Sequence, residues 1–228
     1  MCGRYTNTVT DPTLLAETFN LSTVPDASTL QPRYNIAPTQ LVMTVGRNPA
    51  EENSIAWMKW GLIPRWAKDS SFAHKLINAR AETLSEKPSF RESFLLRRCL
   101  IVADGFYEWR KDETGRKVPM YIRLANGQPF GLAGLWDRWV DPTTKESVLT
   151  CTIITTHPND LIKTMHHRMA VILPPEHFDL WLDRNNQDHS LLSDLLRPYP
   201  SEDMVAYEVS PKVNNPNYDA PELIEPVA

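Results

Sequence analysis

Apolar residues fall along this chain in short runs broken by proline and polar clusters, and only briefly at helical spacing. Asp11-Pro12 ahead of Leu14, Leu15 and Phe19 predicts a capped helix, because aspartate supplies the N-cap acceptor and proline suits the first turn. Ser22 to Arg33 is a proline-bearing loop. Tyr34-Asn35-Ile36-Ala37-Pro38-Thr39 leads irregularly into a strand over Leu41 to Val45. Asn48 to Ser54 is a polar turn and Ile55 to Trp60 a returning strand, so the two strands form a hairpin. A short helix is predicted over Ser89 to Arg97, and the unbroken apolar run Cys99 to Val102 is a buried strand. Phe106 to Arg110 continues as a strand, and Lys111 to Lys117 is a charged turn. Met120 to Leu124 and Phe130 to Val140 are strands with the hairpin signal Asn126-Gly127 between them. Val148 to Thr155, apolar and rich in β-branched residues, is a central strand. A short helix over Asn159 to Thr164, a strand over Ala170 to Leu173, helices near Glu176–Leu182 and Ser190–Leu196, and a strand over Met204 to Val209 complete the pattern. The tail from Lys212 is loop-like.

Strands outnumber helices, and no regular helical crossovers separate them. The pattern predicts an α+β fold: a single domain over 1–228 with a curved, barrel-like, mainly antiparallel sheet and flanking helices. A hydrophobic content of 42% in 228 residues supplies a real core. The net charge of −4 excludes a generally basic nucleic-acid binder, so any such site must be a local patch. The three cysteines, Cys2, Cys99 and Cys151, are odd in number and widely spaced. They form no CxxC or Cys/His pattern, so neither a disulfide framework nor a metal site is expected. No phosphate loop or other cofactor motif is present, and no cofactor is expected. No signal peptide or membrane-length apolar run is seen. A reducing, cytoplasmic location, at the nucleoid in a bacterium, is the expectation, with no membrane contact and a monomeric state.

The candidate chemistry starts at Met1-Cys2-Gly3-Arg4-Tyr5. Removal of Met1 would leave Cys2 with a free α-amine, of ordinary pKa ~8, beside a thiol of ordinary pKa ~8.5. Such a pair can capture an aldehyde as an imine and close it to a thiazolidine; alternatively the thiol attacks an acyl group with the amine as its base. The competing reading is a residue at a frayed chain end. Glu108, set in Gly105-Phe106-Tyr107-Glu108-Trp109, is either a proton donor with a raised pKa among aromatics or an exposed strand acid; alternation slightly favours the second. His166 and His167 are adjacent, so at most one points into a site, and histidine suits proton transfer to a sugar oxygen. Asn78 and Arg80 alternate and share a face if extended, while Arg65-Trp66 combines a phosphate partner with a stacking ring. Taken singly, each has a structural reading at least as good.

Taken together, these stretches resemble the SRAP (SOS response-associated peptidase) family. The resemblance rests on the N-terminal pentapeptide and on 33–39, 60–64, 77–83, 103–109 and 165–169, in family order, continuing to Glu222-Leu223-Ile224. It implies a shield for abasic sites in single-stranded DNA, joined covalently to the ring-opened sugar through the thiazolidine of Cys2. It further implies that Asn78 positions the sugar and Cys2, that Glu108 is the acid/base of imine formation, and that His166 assists ring opening and reversal. Arg4, Arg80 and Arg168 would hold flanking phosphates and Trp66 would stack near the kinked strand. Self-removal of Met1 and contacts with replication-associated proteins belong to the same expectation. The chain departs from the family's usual His-Asp-Arg-Met-Pro, reading His166-His167-Arg168-Met169-Ala170. Two rivals remain: an N-terminal-nucleophile amidohydrolase, which requires stacked antiparallel sheets covered by helices, and a non-covalent reader of modified DNA bases, which requires no free terminus.

Overall fold

The computed structural model describes residues 2–227. In chain order the strands are β1 (Tyr5–Asn7), β2 (Arg33–Ile36), β3 (Leu41–Arg47), β4 (Asn53–Trp60), β5 (Asn78–Arg80), β6 (Arg98–Ala103), β7 (Gly105–Lys111), β8 (Lys117–Leu124), β9 (Phe130–Val140), β10 (Ser147–Thr156), β11 (Met169–Ala170), β12 (Ile172–Leu173) and β13 (Met204–Glu208). The helices are α1 (Pro12–Thr18), α2 (Arg91–Leu96), α3 (Asp160–Lys163), α4 (Phe178–Leu182) and α5 (His189–Asp194). Asp11 caps α1 by accepting from the backbone N–H groups of Thr13 and Leu14, as the Asp-Pro signal requires.

Five strands close on themselves. β3 pairs with β4 and β6, β6 with β9, β9 with β10, and β10 returns to β4. All these joins are antiparallel except the last, a parallel seam in which Thr150 faces Lys59 and Cys151 faces Trp60. β5 lies parallel to β10 just beyond that seam, with Asn78 opposite Ile153 and Arg80 opposite Thr155. The predicted α+β fold with a curved, mainly antiparallel sheet is therefore present, and the barrel is closed.

A second antiparallel sheet, in the order β13-β8-β7-β1-β2, packs on the barrel. One apolar core runs from the barrel strands (Cys99, Ile101, Leu132, Cys151, Ile153) to the inner face of the second sheet (Phe106, Met120, Ile122, Leu124). Both internal cysteines are fully buried, as small core residues should be. The opposite face of β6, Leu100 and Val102, packs beneath Phe94, Phe178 and Trp181 of the helices. Burial on both faces explains the unbroken apolar run of that strand.

Two sequence expectations need correction. Asn126-Gly127 does make a turn, with Gly127 at φ +70° and Gln128 N–H donating to Asn126 Oδ1. It closes no hairpin, however, because β8 pairs with β7 and β13 while β9 pairs with β6, β10 and β12. The turn transfers the chain between sheets, and Ala125 N–H is taken by Asp203 instead. The tail from Lys212 is also more than a loop: Val213 and Leu223 are buried against Tyr107 and Tyr121 on the outer face of the second sheet. Gly61 shows why the 60–64 motif needs a glycine. It sits at φ +127°, and a Cβ there would run into the Ala73 carbonyl.

Candidate active site

The site is built where β1 begins. Asp104 ties this strand down: its carboxylate accepts from Thr6 Oγ1 (2.5 Å), from Thr8 N–H (2.8 Å) and from Thr8 Oγ1. Tyr121 Oη lies 2.9 Å from Thr6 Oγ1. This anchorage delivers Cys2 into the core, where it is fully buried. Cys2 is thus no frayed end. Asn78 Nδ2 donates to the Cys2 carbonyl at 3.0 Å, and Asn78 Oδ1 is buried without a hydrogen-bond partner.

Glu108 is 4% exposed, which overturns the exposed-acid reading. Alternation along β7 places it correctly beside Phe106 on the inner face, but the outer face, with Tyr107 and Trp109, is the one covered by the C-terminal tail. Both faces are therefore enclosed. Burial raises the Glu108 carboxyl above the usual range, and burial together with the Glu108 charge pushes the Cys2 thiol up to about 12. Burial lowers the pKa of His166, favouring the neutral imidazole. Its Nδ1 accepts from Arg168 N–H at 3.0 Å, and its ring stacks on His167 with centroids 4.4 Å apart.

Glu108 and His166 share the wall of an open cleft of 830 Å³ with Trp109, Lys111, Lys117, Thr164, Met165 and Asn214. The structure thus gathers Cys2, Asn78, Glu108 and His166, four residues read from the sequence as chemical. The proposed anion partners are placed less uniformly. Arg4 is half-buried, and its guanidinium donates to Asn35 Oδ1 (2.8 Å) and to the carbonyls of Val213 (2.7 Å) and Asn214 (3.5 Å). It borders the cleft through Asn214. Arg80 is exposed on the same face of β5 as Asn78. Arg168 is turned away from an open role: it forms a two-pronged pair with Glu82, at 2.6 and 2.9 Å, and donates to the Thr155 carbonyl.

Trp66 is 53% exposed on the loop after β4, edge-on to Phe72. Its neighbour Arg65 is engaged with Asp137 and Glu92 at 3.2 Å each, so the arginine serves the loop rather than a ligand. Lys111, Lys117 and Trp109 escaped the sequence reading as site residues. The lysines looked like turn charges, and only the register of β7 with β8 brings them together.

The fold and site define a closed-barrel α+β protein in which a buried cysteine, held by an asparagine, lies beside a buried carboxyl that shares the wall of an open cleft with an imidazole. The model of the SOS response associated peptidase (SRAP) family matches residues 1–216, and the chain belongs to this family. It is 45% identical to "Abasic site processing protein YoqW" of Bacillus subtilis (strain 168), over 99% of each chain. It is 31% identical to "Abasic site processing protein HMCES" of Gallus gallus, over 78% of this chain and 59% of that one. Among solved structures, a protein from Bacteroides thetaiotaomicron superposes with a TM-score of 0.86 at 28% identity, covering 100% of both chains.

Proposed function

We propose that this protein captures abasic sites in single-stranded DNA as a covalent thiazolidine through Cys2, after Met1 is removed. Met1 lies outside the described residues, so its removal rests on the sequence and on family membership. The observation that carries the reading is the burial of Cys2 against Asn78, which holds its carbonyl, and close to Glu108, which lines an open cleft. The names of the relatives supply the lesion.

The chemistry balances. Hydrolysis of the Met1–Cys2 bond consumes one water and frees the amine. The amine adds to the aldehyde carbon of the ring-opened sugar, giving a carbinolamine. Loss of its hydroxyl as water leaves the imine. The thiol sulfur then bonds to the same carbon while its proton passes to nitrogen, closing the ring. A carboxyl held above its usual range can accept a proton from the amine and return it to the departing hydroxyl. His166, neutral, is suited to take the sugar's hydroxyl proton as the ring opens. Asn78, with a free carbonyl oxygen beside Cys2, is placed to hold both partners.

A missing base leaves nothing to read by base edge, so phosphate contact and lesion shape must carry recognition. The amidohydrolase rival requires stacked antiparallel sheets covered by helices; here five strands close into a barrel with one parallel seam. Denaturing electrophoresis of the mature protein with an abasic oligonucleotide is the test. A heat-stable shifted band is expected, and no band with Met1 demonstrably absent would overturn the reading.

A further inference from the structure

The end of the β7–β8 hairpin carries a conflict. Lys111 and Lys117 are direct cross-strand partners, and like charges placed so destabilise a sheet pair. Both are exposed, and among the described residues neither has a carboxylate partner. The acids nearby are committed elsewhere: Asp112 to Arg116 at 3.2 Å and Glu208 to Arg110 at 3.7 Å. An anion between the lysines would turn repulsion into attraction.

Two further observations say where that anion belongs. Both lysines line the same cleft as Glu108 and His166. The cleft also presents Trp109, on the lysines' face of β7, with its indole fixed by Nε1–H donating to Asn214 Oδ1 at 2.8 Å. The edge of β7 alongside is open, too. β1 pairs only with Gly105 and Phe106, its last bond being Tyr107 N–H to the Arg4 carbonyl, and among the described residues no strand continues past it. An extended strand leaving the Cys2 site has this edge to follow.

We propose that this cleft seats the nucleotide next to the lesion, with Lys111 and Lys117 clamping one backbone phosphate and the Trp109 ring stacking on its base. The inference rests on the reading of the protein as an abasic-site binder and deepens it by assigning a flanking subsite. It also supplies local positive charge to a chain of net charge −4.

The experiment compares wild type with the Lys111→Ala/Lys117→Ala double variant, both exposed positions that the fold tolerates. Non-covalent binding of an oligonucleotide bearing a tetrahydrofuran abasic analogue is titrated against salt. The variant should bind about tenfold more weakly at low salt, with the slope of log K against log salt reduced by about 0.7, the share of one single-strand phosphate. Its rate of adduct formation with phosphate-free 2-deoxyribose should equal that of wild type. Trp109→Ala should lose the preference for a base over a spacer beside the lesion. Unchanged affinity and slope would overturn the subsite, as would an equal loss with the small aldehyde. If wild type forms no covalent adduct with abasic DNA, the crosslinking function falls, and the salt slope still decides the subsite.

Discussion

Asn78, on β5, holds the carbonyl of Cys2 at 3.0 Å, although the two lie 76 positions apart in sequence. The bond fixes where the cysteine backbone ends, and therefore where an amine at that position would stand. Asn78→Ala should cost about 1 kcal/mol of that restraint. Crosslinking should slow about fivefold, as such a loss in the transition state implies. Single-turnover rates on abasic oligonucleotide check this, and an unchanged rate would leave Asn78 a purely structural residue.

Cys2 should be chemically quiet until substrate arrives. With its thiol pushed up to about 12, roughly one molecule in 10⁵ is thiolate at pH 7. Iodoacetamide at neutral pH should label it at least ~100-fold more slowly than a free cysteine. Cys2→Ala should keep an imine trappable by borohydride and lose the heat-stable adduct. A stable adduct in that variant would exclude the thiazolidine.

Glu108 pits stability against chemistry. Because burial raises its carboxyl in the native state, the group favours folding fully at pH below its ordinary range. That contribution is lost as pH rises through the elevated native value. Glu108→Gln should therefore raise the melting temperature at pH 8, with the gain shrinking toward pH 4. The same variant should slow linkage about 10²-fold, the usual share of a general acid/base. Thermal melts across that pH range and timed crosslinking read the two effects separately.

Glu82 occupies Arg168. Glu82→Ala should release the guanidinium to the solvent side, strengthening DNA binding and steepening its salt slope by about 0.7. A weaker complex would show that the pair orders the His166–Arg168 turn instead.

Gly105→Ala should destabilise by about 1–3 kcal/mol, because a Cβ there would fall inside the Tyr121 ring, which has no room to leave its bond to Thr6. Urea denaturation measures the loss.

The elements most legible in the sequence were those whose pattern is local. Asp11 announced α1, and the apolar run at Cys99–Val102 announced a strand buried on both sides. Glu108 misled because alternation reports which residues share a face and not whether both faces are covered; its own face meets the apolar core with Phe106, and Val213 and Leu223, far along the chain, cover the other. Asn126-Gly127 misled similarly, since a tight turn can link two sheets as well as two paired strands. The Cys2, Asn78, Glu108 and His166 group was visible only as a set of motifs. The Lys111–Lys117 pair depended on register, which spacing alone does not reveal.

The grip of the tail on the start of the chain has a consequence for synthesis. Arg4 is bound by the Val213 and Asn214 carbonyls, and Asn35 by those of Val213, Asn215 and Tyr218. A ribosome delivers these acceptors about 180 to 210 residues after the groups they hold. The nascent polypeptide therefore carries Arg4 and Asn35 without this clasp until residues 213–218 have emerged.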